Sequence, residues 1–119
     1  MRHYRELIVW KKAMALAKLC YRVTRPFPRA EIFGMTSQIR RAATSVPANI
    51  AEGHGRAHTK EYLNHLSVAQ GSLAELETHL ILSHDVALLP EAELNECLLL
   101  AEEVSKMLAG LRIALERRC

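Results

Sequence analysis

Apolar residues recur at steps of three and four along almost the whole chain. Four segments carry this pattern, at about residues 7–25, 30–52, 59–86 and from 90 onward. Residues at this spacing lie on one face of an α-helix, so each segment predicts an amphipathic helix. The predicted core stripe of the first segment comprises Val9, Trp10, Ala13, Met14, Leu16, Ala17, Cys20, Tyr21 and Thr24, and the predicted seam of the third comprises Tyr62, Leu66, Ala69, Leu73, Leu76 and Leu80. The breaks between segments are short and contain Pro or Gly, which favours antiparallel packing of consecutive helices. The sequence therefore predicts an all-α, antiparallel up-and-down four-helix bundle, with residues 1–119 as a single domain.

The composition agrees with a helical protein that lies outside the membrane. Aromatic residues make up only 5% of the chain, which argues against a β-sandwich or a barrel. The longest apolar runs are too short for a membrane span or a signal peptide, so we expect a cytoplasmic protein. Cys20, Cys97 and Cys119 are odd in number and widely separated. They predict neither a disulfide framework nor a zinc site, and we expect Cys20 and Cys97 to be small core residues.

Pro47 lies inside the second segment. Proline lacks an N–H donor and its ring clashes with the preceding turn, so it usually bends or ends a helix. We therefore expect a kink or a restart at Pro47, with the Ser45 hydroxyl capping the new turn.

The apolar stripes are wider than a single core requires. Residues 80–82 and 98–100 are apolar at consecutive positions, so they wrap around their helices. A solitary bundle would leave part of that surface exposed to water, which predicts a second apolar face that is buried between subunits. The alternative is that some of these leucines are simply exposed.

Charge is distributed unevenly along the chain. Residues 1–60 contain twelve Lys/Arg and three Glu, whereas residues 61–119 contain four Lys/Arg and ten Asp/Glu. This asymmetry indicates either a polyanionic partner or complementary packing between copies. Within the first segment, a basic stripe falls within roughly 60° of the helix circumference and could follow phosphates. The alternative is an ordinary solvated face. The stripe consists of Lys11, Lys18, Arg22 and Arg25.

Arg40 and Arg41 are adjacent, so they point about 100° apart on a helix and cannot serve one site equally. We expect one of them to pair with a glutamate, either Glu31 or Glu52, and the other to be available to a partner. Arg56 follows a short glycine-rich stretch at residues 53–55 that we interpret as a helix stop and tight turn. Backbone amides at that turn could also face an anion.

No catalytic constellation is recognisable. His54, His58, Glu61 and His65 have spacings that would align on a continuous helix, but glycines interrupt that helix and the zinc pattern His-Glu-x-x-His is missing. Glu61 and His65 instead predict an ordinary i,i+4 pair. A di-iron site would need Glu-x-x-His motifs, and the sequence contains none. We therefore expect a non-enzymatic protein without a metal or cofactor.

Several stretches together resemble the bacterial four-helix-bundle proteins first met as products of intervening sequences in 23S ribosomal RNA genes. The central block from Gln38 to Arg56 is the most specific part. The stretches are Val9-Trp10-Lys11-Lys12-Ala13, Thr24-Arg25-Pro26-Phe27-Pro28 with Glu31 and Gly34, Gln38-Ile39-Arg40-Arg41-Ala42-Ala43, Ser45-Val46-Pro47-Ala48-Asn49-Ile50-Ala51-Glu52-Gly53 with Gly55-Arg56, and Ala69-Gln70-Gly71-Ser72-Leu73-Ala74-Glu75-Leu76-Glu77.

The resemblance implies a homopentamer of four-helix bundles. A related branch, the accessory protein of diversity-generating retroelements, partners a reverse transcriptase and binds nucleic acid, so the resemblance implies similar partners here. The sequence departs from the family pattern at two places. His84-Asp85-Val86-Ala87 stands where a Leu-Gly turn is common, and Met35 replaces a usual leucine.

Two functions are consistent with the sequence. The first is a homo-oligomeric accessory module that binds RNA or DNA through a basic surface. The second is a protein–protein scaffold with no nucleic-acid role, in which the charge asymmetry is used between subunits. The candidate nucleic-acid-binding residues are Lys11, Lys18, Arg22, Arg25, Arg40, Arg41 and Arg56.

Overall fold

The structure is a computed structural model that describes residues 3–118. Its long helices are α1 Ile8–Thr24, α2 Met35–His54, α3 Thr59–Asp85 and α4 Glu91–Glu116. No strand occurs among these residues, so the predicted all-α class with four helices is confirmed for the described part of the chain. In the same range, no helix is both long and apolar enough to cross a bilayer.

Each helix packs against the next one in the chain, and α4 returns to pack against α1. Contacts between α1 and α4 show that these two helices run in opposite directions. Lys12 meets Glu103, and Arg22, further along α1, meets Glu96, which comes earlier on α4. The result is an antiparallel up-and-down arrangement about 46 Å long.

The core follows the predicted apolar stripes most closely on α3. Every residue of the predicted α3 seam is less than 10% exposed, which confirms that seam. Burial of one large aliphatic side chain stabilises a fold by about 1.5–3 kcal/mol, so this row contributes much of the packing energy. The seam comprises Tyr62, Leu66, Ala69, Leu73, Leu76 and Leu80.

α2 begins at Met35, five residues later than the predicted start at Ala30. A short 3-10 turn, Arg29–Glu31, occupies the intervening chain. The Glu31 carboxylate accepts a hydrogen bond from the Met35 backbone N–H at 3.1 Å. This bond satisfies one of the free N–H groups at the start of the helix. It also engages the Glu31 carboxylate, which was a predicted partner of Arg40 or Arg41.

The expected restart at Pro47 is wrong, because α2 is one helix that continues through Pro47 to His54. Pro47 is buried, and its fixed φ is compatible with a helix. Burial of the proline ring offsets the free energy that is lost because Pro47 has no backbone N–H to donate. Ser45 does not cap a new turn either; its hydroxyl lies 2.8 Å from the Ser72 hydroxyl on α3.

α2 and α3 are packed tightly together at Gly53. A Cβ atom placed on Gly53 would lie 2.7 Å from the Cβ of His65 and 2.9 Å from Cδ1 of Tyr62. Real Cβ atoms do not come this close to such neighbours. Glycine therefore sets the spacing of the two helices near the end of α2.

α3 ends in a Schellman motif although the usual glycine is missing. Ala87 has φ of 66°, in the left-handed region. The Leu88 N–H donates to the Ser83 carbonyl at 2.8 Å, and the Ala87 N–H donates to the His84 carbonyl at 3.0 Å. The chain thus keeps the turn geometry that glycine favours, at a cost of roughly 1–2 kcal/mol for a residue with a Cβ.

Candidate nucleic-acid interface

Charge is segregated between two layers of the bundle. α1 carries four Lys/Arg and no acidic residue, and α2 carries two Arg and one Glu. On the other side, α3 carries one Lys and four Asp/Glu, and α4 carries two Lys/Arg and six Glu. We call α1 with α2 the basic layer and α3 with α4 the acidic layer. The asymmetry between the two halves of the sequence therefore becomes an asymmetry between two sides of the molecule.

The two layers neutralise each other in part within one chain. Lys12 Nζ lies 3.0 Å from a Glu103 carboxylate oxygen. Arg22 Nη2 lies 2.9 and 3.0 Å from the two carboxylate oxygens of Glu96. Both pairs are about half exposed, so each contributes less than about 1 kcal/mol. Arg22 is thereby already engaged, which weakens its place among the candidate binding residues.

Arg56 is also engaged, by Glu52 at 2.7 Å on the preceding turn. Glu52 therefore does not pair with Arg40 or Arg41 as expected. The predicted pair between Glu61 and His65 is replaced by contacts to α2, where His65 Nδ1 lies 3.1 Å from the Asn49 side-chain oxygen. Packing of α3 on α2 turns the imidazole toward its neighbouring helix and away from its own helix.

Arg40 does have a structural role, but its partners are not acidic. Its Nε donates to the Thr24 hydroxyl at 2.9 Å and its Nη2 donates to the Tyr21 carbonyl at 3.4 Å. The guanidinium also lies 4.5 Å from the centroid of the Tyr21 ring. Arg40 thus ties the end of α1 to α2 and holds Tyr21 in place, because carbonyl and hydroxyl oxygens at a helix end are good acceptors.

The remaining four candidate cations are exposed, and none of them has an acidic partner among residues 3–118. All four lie on the basic layer or directly at its end. Exposed, unpaired cations on one side of a protein are what a phosphate backbone requires. These four residues, which we call the open cations, are Lys11, Lys18, Arg25 and Arg41.

An open groove of about 620 Å³ lies between α1 and α2. Two open cations, Lys18 and Arg25, line it. Trp10, Met14 and Tyr21, which the periodicity of α1 placed in the core stripe, line it as well. Tyr21 is 41% exposed. We refer to this feature as the α1–α2 groove. In the sequence, the wide apolar stripe of α1 is the feature that indicates this groove.

On the acidic layer, Glu77 faces unfavourable surroundings. Burial raises the pKa of its carboxyl, and the nearby charge of Glu102 on α4 raises it further. An acid whose pKa is raised in the folded state binds protons more tightly there. Its contribution to stability therefore falls as pH rises through that folded-state pKa.

We expect the substitution Glu77→Gln to raise the free energy of unfolding at neutral pH, because the amide removes the charge that burial disfavours. The gain should vanish below the ordinary glutamate pKa, where Glu77 is protonated in both states. Urea unfolding at pH 7 and pH 3.5 measures both values. An equal effect at the two pH values would contradict the assigned cause.

Cys20 on α1 and Cys97 on α4 are both fully buried and are hydrogen-bonded to each other. The bond to Cys97 and burial raise the pKa of the Cys20 thiol far above its usual range. The two residues therefore act as small core residues, as predicted. Cys119 lies outside the described residues. Within those residues, no cluster of three or more His, Cys, Asp or Glu side chains could hold a metal ion.

Comparison with known proteins agrees with the fold. A protein of unknown function from the S23 ribosomal protein family of Bacteroides thetaiotaomicron superposes with a TM-score of 0.79 and 23% sequence identity, covering 88% of this chain and 98% of that one. No curated protein matched the sequence. The sequence pattern of the 23S rRNA-intervening sequence proteins matches residues 5–110. Because this match covers most of the chain, the protein belongs to the 23S rRNA-intervening sequence protein family.

Proposed function

We propose that the protein is a non-enzymatic interaction module that binds RNA or DNA through its basic layer and assembles with copies of itself, as the ring implied by the family. The observation that carries the first part is the set of open cations. They lie on the layer in which α1 has no acidic residue. The binding is expected to be independent of sequence, because cations that contact phosphates position a nucleic acid without reading its bases.

Electrostatic binding of this kind depends steeply on salt. Each phosphate that a cation neutralises releases condensed counterions, so four contacts give a slope of about −3 to −4 in log affinity against log salt. That slope corresponds to a loss of roughly 100-fold between 50 and 200 mM salt. Assembly would multiply the contacts by placing several basic layers on one nucleic acid.

The sharpest test reverses two open cations, in the variant Lys18→Glu/Arg25→Glu. We expect it to weaken binding of a labelled 20-nucleotide RNA by roughly 100-fold at 50 mM salt and to reduce the salt slope by about 2. Fluorescence anisotropy measures both quantities. The matched control, Lys60→Glu/Lys106→Glu, makes the same charge change on the acidic layer. Absence of binding by the wild type, or equal losses in the two variants, would refute the basic layer as the binding surface.

Self-assembly is supported by apolar side chains that remain exposed on the acidic layer. Leu99 is 73% exposed and Ile113 is 52% exposed, both on α4. Val68, Ile81 and Leu82 on α3 are also exposed.

Contact between two such surfaces buries apolar area but brings like charges together. It should therefore strengthen with salt, whereas nucleic-acid binding weakens. Light scattering at 50 and 500 mM salt, with and without RNA, separates the two, and a monomer at every concentration would refute assembly.

The competing function is a scaffold without nucleic acid. The ion pairs Lys12–Glu103 and Arg22–Glu96 support a scaffold, because in them a basic helix and an acidic helix already complement each other. In a scaffold, the open cations of one copy would face the acidic layer of the next. The Lys18→Glu/Arg25→Glu variant would then dissociate the oligomer, and the wild type would not bind RNA.

A further inference from the structure

The α1–α2 groove combines two features that electrostatic binding alone does not need. Its floor is apolar and includes Trp10, Met14 and Ala17, while Lys18 and Arg25 stand at the same groove. Its volume of about 620 Å³ is within the range of about 300–1,000 Å³ that is typical of small-molecule sites. A surface that contacts only phosphates is not expected to keep an open apolar groove beside its cations.

Aromatic rings are arranged along this groove. Tyr4, Trp10 and Tyr21 all line it. Tyr4 and Trp10 contact each other edge to face, with ring centroids 5.3 Å apart. Aromatic side chains beside cations form the usual binding surface for single-stranded nucleic acids, in which bases stack on rings and phosphates meet Lys or Arg.

Tyr21 is held in place as a platform. The Arg40 guanidinium lies 4.5 Å from its ring centroid and is itself fixed by hydrogen bonds to the Thr24 hydroxyl and the Tyr21 carbonyl. Tyr21 nevertheless remains 41% exposed. A ring that is immobilised before binding loses little conformational entropy when a base stacks on it.

Resting on the nucleic-acid function proposed above, we propose that the α1–α2 groove binds unpaired bases of a single-stranded RNA or DNA, with Tyr21 and Trp10 as stacking surfaces and Lys18 and Arg25 as phosphate contacts. The two cations are seven residues apart, so they are about 10 Å apart along the α1 axis. This separation suits a segment of a few nucleotides.

Charge favours this occupant over an apolar helix from another protein. None of the residues lining the groove is acidic, and two of them are open cations. An ordinary duplex is disfavoured for a different reason, since its bases are stacked and paired inside the helix and cannot reach the floor of a groove. The groove therefore distinguishes single strands from duplexes, which the open cations alone would not do.

Trp10 is the only tryptophan in the chain, so its fluorescence reports on this groove alone. Titration of the full chain with a 12-nucleotide oligouridine should quench that fluorescence, because a stacked base quenches indole emission. A duplex of the same length should bind without quenching.

Tyr21→Ala should weaken oligouridine binding about tenfold, with duplex binding unchanged, since stacking contributes this much per base. Tyr21→Phe should restore the affinity, and Phe33→Ala, which removes an exposed aromatic ring outside the groove lining, should have no effect.

Three outcomes would overturn the proposal. If single strands and duplexes bind equally without a change in Trp10 emission, and Tyr21→Ala binds as the wild type does, only phosphates are contacted and the function proposed above survives alone. If wild-type protein binds neither nucleic acid, both proposals fail. If Trp10 emission changes with protein concentration in the absence of RNA, a second copy of the chain occupies the groove.

Discussion

Replacing Leu76 by Ala is expected to lower the free energy of unfolding by about 2–5 kcal/mol. Leu76 is fully buried in the α3 seam, where all four helices enclose the core. The substitution removes three carbon atoms from a packed interior and leaves a cavity that neighbouring side chains fill only in part. Urea or guanidinium unfolding, followed by circular dichroism at 222 nm, measures the change.

The matched control is Leu99→Ala, the same chemical change at a leucine that is 73% exposed on α4. At a protein concentration low enough to keep the chain monomeric, we expect a loss below about 0.5 kcal/mol, as for surface positions generally. A loss at Leu99 that grows as the protein is concentrated would place this residue in a subunit contact, because association stabilises the fold by mass action. A loss at Leu76 no larger than the loss at Leu99 would contradict the core described above.

Gly53→Ala is the second change with a large expected effect, and we expect it to destabilise the fold by about 1–3 kcal/mol. The added methyl group would come within 3 Å of His65 Cβ and Tyr62 Cδ1. His65 Cβ is attached directly to the α3 backbone, so α3 itself must move away from α2. The same movement would disturb the contact between His65 and Asn49.

Gly110→Ala provides the control, because a Cβ at Gly110 meets nothing within 4 Å. Alanine has a higher helix propensity than glycine, so this variant should be more stable by about 0.5–1 kcal/mol. The two substitutions are chemically identical and should act with opposite signs in thermal or denaturant unfolding. Stabilisation by both would show that α2 and α3 are further apart at Gly53 than described.

The bundle itself was predictable because burial repeats with the period of the helix. The α3 row from Tyr62 to Leu80 is a single line of apolar residues, and each member is buried. The helix restart predicted at Pro47 does not occur, because Pro47 is buried inside a continuous α2 and its packing outweighs the missing backbone donor. Similarly, the left-handed turn after α3 persists with Ala87 in place of glycine, since the hydrogen bonds of the Schellman motif are kept.

The candidate site was harder to predict, because it depends on which neighbour a long side chain reaches. From the sequence alone, one basic stripe is predicted along α1, because its members lie within a narrow angle of the helix; they include Lys18, Arg22 and Arg25. In the structure Arg22 extends toward Glu96 on α4, whereas Lys18 and Arg25 line the α1–α2 groove. One of Arg40 and Arg41 was expected to pair with a carboxylate, but carbonyl and hydroxyl oxygens at the end of α1 satisfy Arg40 instead. Such partners are set by tertiary packing and leave no periodic signal.

Under the proposed nucleic-acid function, the segregation of charge between layers also limits how many nucleic acids one bundle can hold. Its electric dipole runs across the bundle, so a polyanion attracts the molecule in one orientation and accelerates the encounter at low ionic strength. Once the basic layer is covered, the side that points outward is α3 with α4, which together carry ten Asp/Glu and three Lys/Arg. A second strand is repelled by that surface, so a lone bundle would coat a strand without crosslinking it to another.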